Sequence, residues 1–397
     1  MTQTTPLNLV APPQTGFPLF HAGFRPFFLL AAIGGAVMMG LWLAIYSGVI
    51  SGGTGYFDPL TWHHHEMIYG YTLAVIAGFL LTAVSNWTGR PTLSGKPLAT
   101  LAMLWVAGRV VPWCGALPHG LIAAVDVAFT PALMIAIAIP LIRSGNRRNM
   151  VFIALLTTLT AGNLLVHLQA LGVTSTGRLG AMLGLYLVLA MISLIGGRVI
   201  PFFIERRLEN TSPRRWPRLG IAAVLTLIVL CIVDLSGAPA GWTAAAAWAC
   251  AALHGLRLIG WHERRVWSVP LLWVLFLGYA WVVAGFALRA LAAGGMVSPF
   301  VAVHAWTVGG IGVMTLGMMA RVSLGHTGRP MRASTTMAIA FAVMNLAAVL
   351  RVAGPIAWPH HTLGMMRAAG LLWILALGLF AVVYTPILLR ARPDPAS

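Results

Sequence analysis

The sequence predicts an all-α protein that crosses a membrane many times. Of its 397 residues, 59% are hydrophobic and only 8% are charged, and the mean hydropathy of +0.87 lies far above that of soluble globular chains. The apolar residues fall in long runs that short polar loops separate. The net charge of +17 resides in those loops, where basic residues set the orientation of membrane proteins, so it does not indicate a nucleic-acid partner.

The apolar runs number about twelve, and each has roughly 18 to 25 residues, enough for a helix to span a bilayer. They cover residues 27–47, 66–84, 98–114, 119–142, 150–172, 179–203, 218–236, 240–260, 267–291, 299–321, 335–353 and 365–390. No soluble domain fits between them. We therefore expect a single transmembrane domain over residues 1–397, with short tails at both ends.

The basic residues alternate from loop to loop and predict the orientation. They concentrate in one set of loops, with Arg90, Lys96, Arg143, Arg147, Arg148, Arg206, Arg207, Arg214, Arg215, Arg264, Arg265, Arg329 and Arg332. The other set carries few charges. By the positive-inside rule, both termini are expected in the cytoplasm.

A weak internal repeat predicts how the helices are grouped. The second run ends in Gly89-Arg90-Pro91 and the tenth in Gly328-Arg329-Pro330, while the sixth ends in Gly197-Arg198-Val199-Ile200-Pro201. These endings recur every four runs. The pattern indicates three groups of four helices.

Three histidines and a glutamate lie at the start of the second apolar run, in Trp62-His63-His64-His65-Glu66-Met67. The predicted topology puts His63, His65, His167 and His304 at one depth, in the outer third of the membrane, on three helices. A single buried histidine is more often a hydrogen-bonded structural residue. Ionisable side chains that gather at one depth in a membrane protein indicate a functional site.

Neutral imidazoles favour copper, zinc, iron or haem iron, whereas Mg²⁺ and Ca²⁺ require more oxygen ligands than this layer offers. Residues two apart on a helix point in nearly opposite directions, so we expect His63 and His65 to serve different centres. Met67 and Glu66 share a helix face with His63. Met67 is thus a weaker candidate ligand, and Glu66 is a candidate proton carrier.

A second polar layer lies on the predicted cytoplasmic side and contains Arg25, Arg90 and Arg329, with His21 and His326 nearby. Arginines at helix ends mostly orient the chain. Alternatively, these three neutralise carboxylates of a bound cofactor, and the two histidines are additional weak ligands. The remaining intramembrane ionisable residues, Arg109, Asp126, Arg198, His254 and Arg289, are expected to pair inside the bundle.

Several motifs, taken in order, closely resemble the NnrS family. They are His21-Ala-Gly-Phe-Arg-Pro-Phe-Phe28, Trp62-His-His-His-Glu-Met67, Gly78-Phe79, Gly89-Arg-Pro91, Gly197-Arg-Val-Ile-Pro201, His304-Ala305, Met314-Thr-Leu-Gly317 and Gly325-His-Thr-Gly-Arg-Pro330. The resemblance implies a twelve-helix bacterial inner-membrane protein of the nitric oxide response that binds b-type haem and copper. In the family pattern His63 and His65 match, and His64 is extra.

These observations and the resemblance lead to one hypothesis: a haem–copper membrane protein that reduces nitric oxide to nitrous oxide, with electrons from a quinol or a small redox protein. Glu66 is its expected catalytic proton donor. The expected ligands and cofactor contacts are His63, His65, His167, His304, Arg25, Arg90 and Arg329, with Met67, His21 and His326 weaker. The alternative is a non-catalytic nitric oxide sensor or protective binder, or a copper or haem transporter. Three groups of four helices are also the arrangement of haem–copper oxidases, an analogy that does not establish function.

Overall fold

The computed structural model describes residues 16–393, and these contain helices and loops without a strand. Most of both predicted tails lies outside this range. We number twelve helices in chain order. They are α1 (Phe24–Tyr46), α2 (Pro59–Thr88), α3 (Gly95–Val110), α4 (His119–Arg143), α5 (Val151–Ala170), α6 (Gly177–Arg207), α7 (Pro217–Leu235), α8 (Ala240–Trp261), α9 (Pro270–Ala293), α10 (Pro299–His326), α11 (Thr335–Val352) and α12 (Thr362–Leu389).

The prediction of an all-α polytopic membrane protein is confirmed. Within residues 16–393, ten helices are long and apolar enough to cross a membrane. The other two, α3 and α8, coincide with predicted runs but fall short by length or composition. Helix α3 has only 16 residues, and α8 includes His254 and Arg257, which lower its hydropathy.

Helices α2, α6 and α10 form the centre of the bundle, and each contacts the other two. Their most apolar windows are 78%, 61% and 72% buried, more than in the other spans. Three arcs surround them, α3–α4–α5, α7–α8–α9 and α11–α12–α1, and each arc leads from one central helix to the next. Every fourth helix is therefore central, as the sequence repeat indicates.

Helices α2 and α10 also resemble each other in detail. Each begins with a proline after a capping side chain: Asp58 accepts from the backbone of Leu60 and Thr61 at 3.1 and 3.0 Å, and Ser298 caps α10. Each widens into a π-helical segment just after a histidine, over Glu66–Thr72 in α2 and Ala305–Val313 in α10. A π-helical turn inside an α-helix often marks a functional site.

Close contacts between small residues fix α2 against α5 and α6. The hydroxyl of Tyr69 donates to the carbonyl of Gly180 at 2.7 Å. A side chain at Gly162 or Gly184 would collide with this tyrosine, so both positions need glycine. The tight approach holds the start of α2 beside the end of α5, where His167 lies.

Candidate metal centre

The ring of His65 lies at the centre of a buried polar cluster between α2, α4 and α5. Its Nδ1 is 3.1 Å from Oε1 of Glu66. Its Nε2 is 3.2 Å from Oδ1 of Asp126 and 2.9 Å from Oδ1 of Asn163. The ring is completely buried, so these protein atoms are its polar environment.

Asp126 of α4 connects the members of this cluster. Its Oδ1 is 3.1 Å from Nε2 of His167 and accepts a bond of 2.8 Å from Nδ2 of Asn163. Its Oδ2 pairs with the guanidinium of Arg109. One ligand atom each from His65, Asp126 and His167 lies within 4.8 Å of the others. Two imidazoles and a carboxylate suit a transition metal with open coordination positions.

His65 has more acceptor oxygens around it than a neutral imidazole can satisfy. The amide nitrogen of Asn163 donates to Asp126, which directs the amide oxygen towards His65. Oxygens therefore face both ring nitrogens, although a neutral imidazole carries one N–H. A second proton on the ring, a proton on Glu66 or a metal cation resolves this excess. The cluster has two acids, Glu66 and Asp126, against the single Arg109, so it accommodates a cation.

Glu66 connects the cluster to a cavity of about 340 Å³ between α1, α2 and α3. Its Oε2 accepts a bond of 3.1 Å from Arg109, and both side chains line the cavity. The rest of the wall is mainly apolar, with Gly34, Val37, Met38, Leu41, Trp62, Trp105, Val106, Val110 and Trp113. A small uncharged molecule thus fits beside a carboxylate that contacts His65.

Tyr56, in the loop before α2, supports His167 from outside the membrane-spanning segments. Its hydroxyl is 2.8 Å from Nδ1 of His167. Burial raises the pKa of Tyr56 to about 12, so the phenol stays neutral at physiological pH. The ring of Phe57 lies against both His65 and His167, with centroids 4.8 and 5.3 Å away. Such outer contacts orient metal ligands.

His63 lies in a different environment from His65. Its ring stacks on Trp42 of α1, with centroids 4.2 Å apart, and its Nδ1 is buried without a hydrogen-bond partner among residues 16–393. His304 and Arg351 are close enough to act on it electrostatically. The Nδ1 of His304 is 2.6 Å from the carbonyl of Phe300. Helix α2 has already begun at Pro59, so the two histidines diverge as helical geometry predicts.

The arginines of the second polar layer bind different acceptors, although Arg25 and Arg329 are close enough to act on each other electrostatically. Arg25 donates to the carbonyls of Leu388 and Arg390 at 2.8 and 2.7 Å and so joins α1 to the end of α12. Arg90 is exposed, and the side chain of Arg329 donates one hydrogen bond within residues 16–393, to the nearby carbonyl of Thr327 at 3.5 Å. These contacts suit orientation of the helix ends.

The three weaker candidate ligands also lie apart from the His65 cluster. His21 is 3.1 Å from the carbonyl of Gly16. His326 lies beside Phe24 and 3.5 Å from Asn86. Met67 packs against the apolar core.

Sequence reasoning did not identify Asn163 or Tyr56 as contacts of the site, and it gave Asp126 and Arg109 only a pairing role. The pairing is present, because Arg109 contacts both Glu66 and Asp126. One signal was available: Asp126 is an acid at the same depth as His167 on the preceding helix. Asn163 precedes His167 by one helical turn, so it shares the same face.

Comparison with known families gives one match over nearly the whole chain. A family model described as NnrS protein covers residues 18–392. No curated protein matches.

Proposed function

The chain belongs to the NnrS family and is a membrane protein of the nitric oxide response, and from this premise we propose that it reduces nitric oxide to nitrous oxide at the His65 cluster. The overall reaction is 2 NO + 2 H⁺ + 2 e⁻ → N₂O + H₂O. The electrons come from an external reductant, a quinol or a small redox protein. The observation that carries the proposal is the excess of acceptor oxygens around His65, next to a cavity that suits a small uncharged substrate.

In this proposal Nε2 of His65, Nε2 of His167 and an oxygen of Asp126 hold copper. The donor set fits, since imidazole is a good copper ligand and the three atoms are near neighbours. The Nδ1–H of His65 then donates to Glu66 and that of His167 to Tyr56, which leaves both Nε2 lone pairs for the ion. Bound there, copper would supply a redox-active binding site for nitric oxide.

The protein's own residues contribute proton delivery and exclusion of water. Glu66 lies between the cavity and His65, so its carboxyl group can pass a proton towards the reacting oxygen. Arg109 holds Glu66 and Asp126 in fixed positions. The apolar wall of the cavity admits nitric oxide, which is small and uncharged, and excludes ionic competitors.

A b-type haem would complete the proposal, with His63 of α2 and His304 of α10 as the residues that would hold it. The buried, unpartnered Nδ1 of His63 supports this assignment, because a buried polar atom normally has a partner. The protein would reside in the bacterial inner membrane with both termini in the cytoplasm. The arginine content of the loops supports that orientation.

The first experiment is anaerobic addition of nitric oxide and a reductant to purified protein, with nitrous oxide measured by gas chromatography. We expect catalytic production of nitrous oxide, and a loss of it in the His65→Gln, His167→Gln double variant. Binding of nitric oxide without any nitrous oxide would contradict reduction and support the sensor or protective alternative. The complete burial of His65 and His167 favours a resident ion over a transported one.

A separate experiment tests the assignment of His63 and His304 as haem ligands. His63→Ala and His304→Ala should each diminish or shift the Soret band, while His360→Ala, at an exposed position, should leave it unchanged. An unchanged band in both of the first two variants would rule out these ligands. Metal analysis of the same samples reports on copper separately.

A further inference from the structure

Arg321 of α10 is a buried cation outside the metal centre. It lies towards the arginine-rich end of the bundle, which we define as the end where the even-numbered helices finish. Its side chain belongs to a residue only 6% exposed. The guanidinium carbon lies 3.7 Å from the ring centroid of Phe203 on α6, so the flat face of the guanidinium stacks on an aromatic ring.

The N–H groups at the edge of this guanidinium lack hydrogen-bond acceptors. Stacking covers a face, whereas the N–H donors of an arginine point outward in its plane. Nε and Nη1 of Arg321 are buried without a hydrogen-bond partner, and no salt bridge within residues 16–393 includes this arginine. The nearby charge that acts on it is Arg207, which is also a cation.

Other buried arginines of the same bundle find acceptors. Arg257 donates to Ser193 at 2.8 and 3.0 Å and to the hydroxyl of Tyr279 at 2.9 Å. Arg25 donates to two carbonyls of α12. The open donors of Arg321 are thus an exception, and arginine cannot lose its charge to escape the cost of burial. A buried charge without a partner is strongly destabilising, so an anion at this edge would offset the cost.

We propose that Arg321 is the base of a binding site for a small oxyanion, a carboxylate or phosphate group, between α6 and α10. Such groups accept parallel N–H bonds from a guanidinium edge. The positive charge of Arg207 would also stabilise an anion bound beside Arg321. The loop after α6 adds Arg214 at this end of the molecule, while Arg215 there pairs with Glu205, and positive charges raise the local concentration of anions. This site does not depend on the proposed nitric oxide chemistry.

The oxyanion has two possible sources, a free anion or a phospholipid headgroup, and the experiment separates them. Purified protein in dodecyl maltoside, a detergent without a phosphate group, is titrated with inorganic phosphate or with acetate, with chloride at equal ionic strength as the reference. Protein in mixed micelles of the same detergent with phosphatidylglycerol is measured without added anion. The readout is the midpoint of thermal unfolding.

We expect a saturable rise of the midpoint with phosphate or acetate, or a rise in phosphatidylglycerol. The first result assigns a free anion and the second a lipid phosphate. In Arg321→Met the rise should vanish or need at least about tenfold more anion, while Arg332→Met, an exposed control at the same end, should respond like the wild type. Removing an unpaired buried charge should also leave Arg321→Met at least as stable as the wild type without anion.

Two outcomes would overturn the proposal. One is a wild-type midpoint that no oxyanion and no phosphatidylglycerol raises above the chloride reference. The other is an equal rise in Arg321→Met.

Discussion

Two clusters of charged residues, one buried and one part-buried, occupy the opposite end of the bundle, the histidine-rich end, where the even-numbered helices begin. The His65 cluster lies between α2 and the first arc. The Asp234 cluster, Tyr186, Asp234 and Arg289, lies between α6 and the second arc. In the latter, Arg289 pairs with Asp234, and the hydroxyl of Tyr186 donates to the same carboxylate at 2.5 Å.

The difference between them separates a structural ion pair from a binding site. The Asp234 cluster has one acid, one arginine and a hydroxyl donor, so its donors and acceptors match without any added ion. The His65 cluster has two acids and one arginine, with two imidazoles that share Asp126. Burial differs only in degree, since the carboxylates of Glu66 and Asp126 are 1% exposed and that of Asp234 is 9% exposed. What distinguishes them is the surplus of acceptors and negative charge around His65.

The largest expected effect comes from removing each central carboxylate in turn. Asp126→Asn and Asp234→Asn should each cost up to about 3–5 kcal/mol of unfolding free energy, the cost of breaking a buried ion pair, because each leaves a part-buried arginine short of a partner. Only Asp126→Asn should also lose most of the bound metal. Metal analysis and thermal unfolding of both variants check this. Equal metal content in the two variants would show that the clusters do not differ in metal binding.

Replacing histidines tests whether metal affinity depends on the candidate ligands or falls when any buried histidine is lost. His65→Gln and His167→Gln should weaken metal affinity by more than the roughly 10–100-fold typical of outer contacts. His254→Gln is the matched control, since both of its ring nitrogens have partners, the hydroxyl of Tyr279 at 2.7 Å and the carbonyl of Ala223 at 3.2 Å. It should keep the metal. Competition with a metal chelator gives the affinities, and a comparable loss in His254→Gln would point to general destabilisation.

A smaller change probes the support of His167. Tyr56→Phe should weaken metal binding by about 10–100-fold and destabilise the protein by only about 1 kcal/mol, as expected for one hydrogen bond. Tyr71→Phe removes a comparable buried hydrogen bond, to the hydroxyl of Thr315 on α10 at 2.7 Å, which none of the candidate ligands shares. Its metal affinity should match the wild type. If both variants bind metal like the wild type, Tyr56 does not orient a ligand.

The last effect is confined to alkaline pH. Burial raises the pKa of Tyr56 from 10.0 to about 12, so the folded protein holds the phenol proton more tightly than the unfolded chain does. The resulting stabilisation is complete below pH 10 and is lost as the pH rises towards 12. Tyr56→Phe lacks this contribution. The difference in unfolding midpoint between wild type and variant should therefore shrink over that interval, and a constant difference would show that Tyr56 is not the titrating group.

The sequence could predict the helices and their grouping because hydropathy and motif spacing are local properties. It could also predict that His63 and His65 diverge, since both lie within α2. Partners from other helices were harder. His304 shares the expected depth, yet its ring lies near His63 and Arg351, because depth says nothing about rotation around the helix axis. Arg321 has no sequence signal at all, since a missing partner is visible only once the neighbouring helices are in position.

The contact between His65 and Glu66 shows most clearly what cannot be predicted from the sequence. Adjacent residues on a regular α-helix point about 100° apart, which argues against a joint site. In the structure the π-helical segment begins at Glu66, and the two side chains meet at 3.1 Å. Hydrophobic periodicity does not reveal such a local widening.

The π-helical segment Glu66–Thr72 has a mechanical consequence. It behaves like one extra residue within α2, between the capped start of the helix and its α-helical remainder, Leu73–Thr88. If that surplus were released and the turn tightened to α-helical pitch, everything before it would rotate by about 100° and advance by about 1.5 Å. Such a screw motion would swing His65 away from Asp126 and His167. The geometry of the cluster is therefore set by the winding register of a single helix, and the corresponding segment of α10 gives His304 the same dependence.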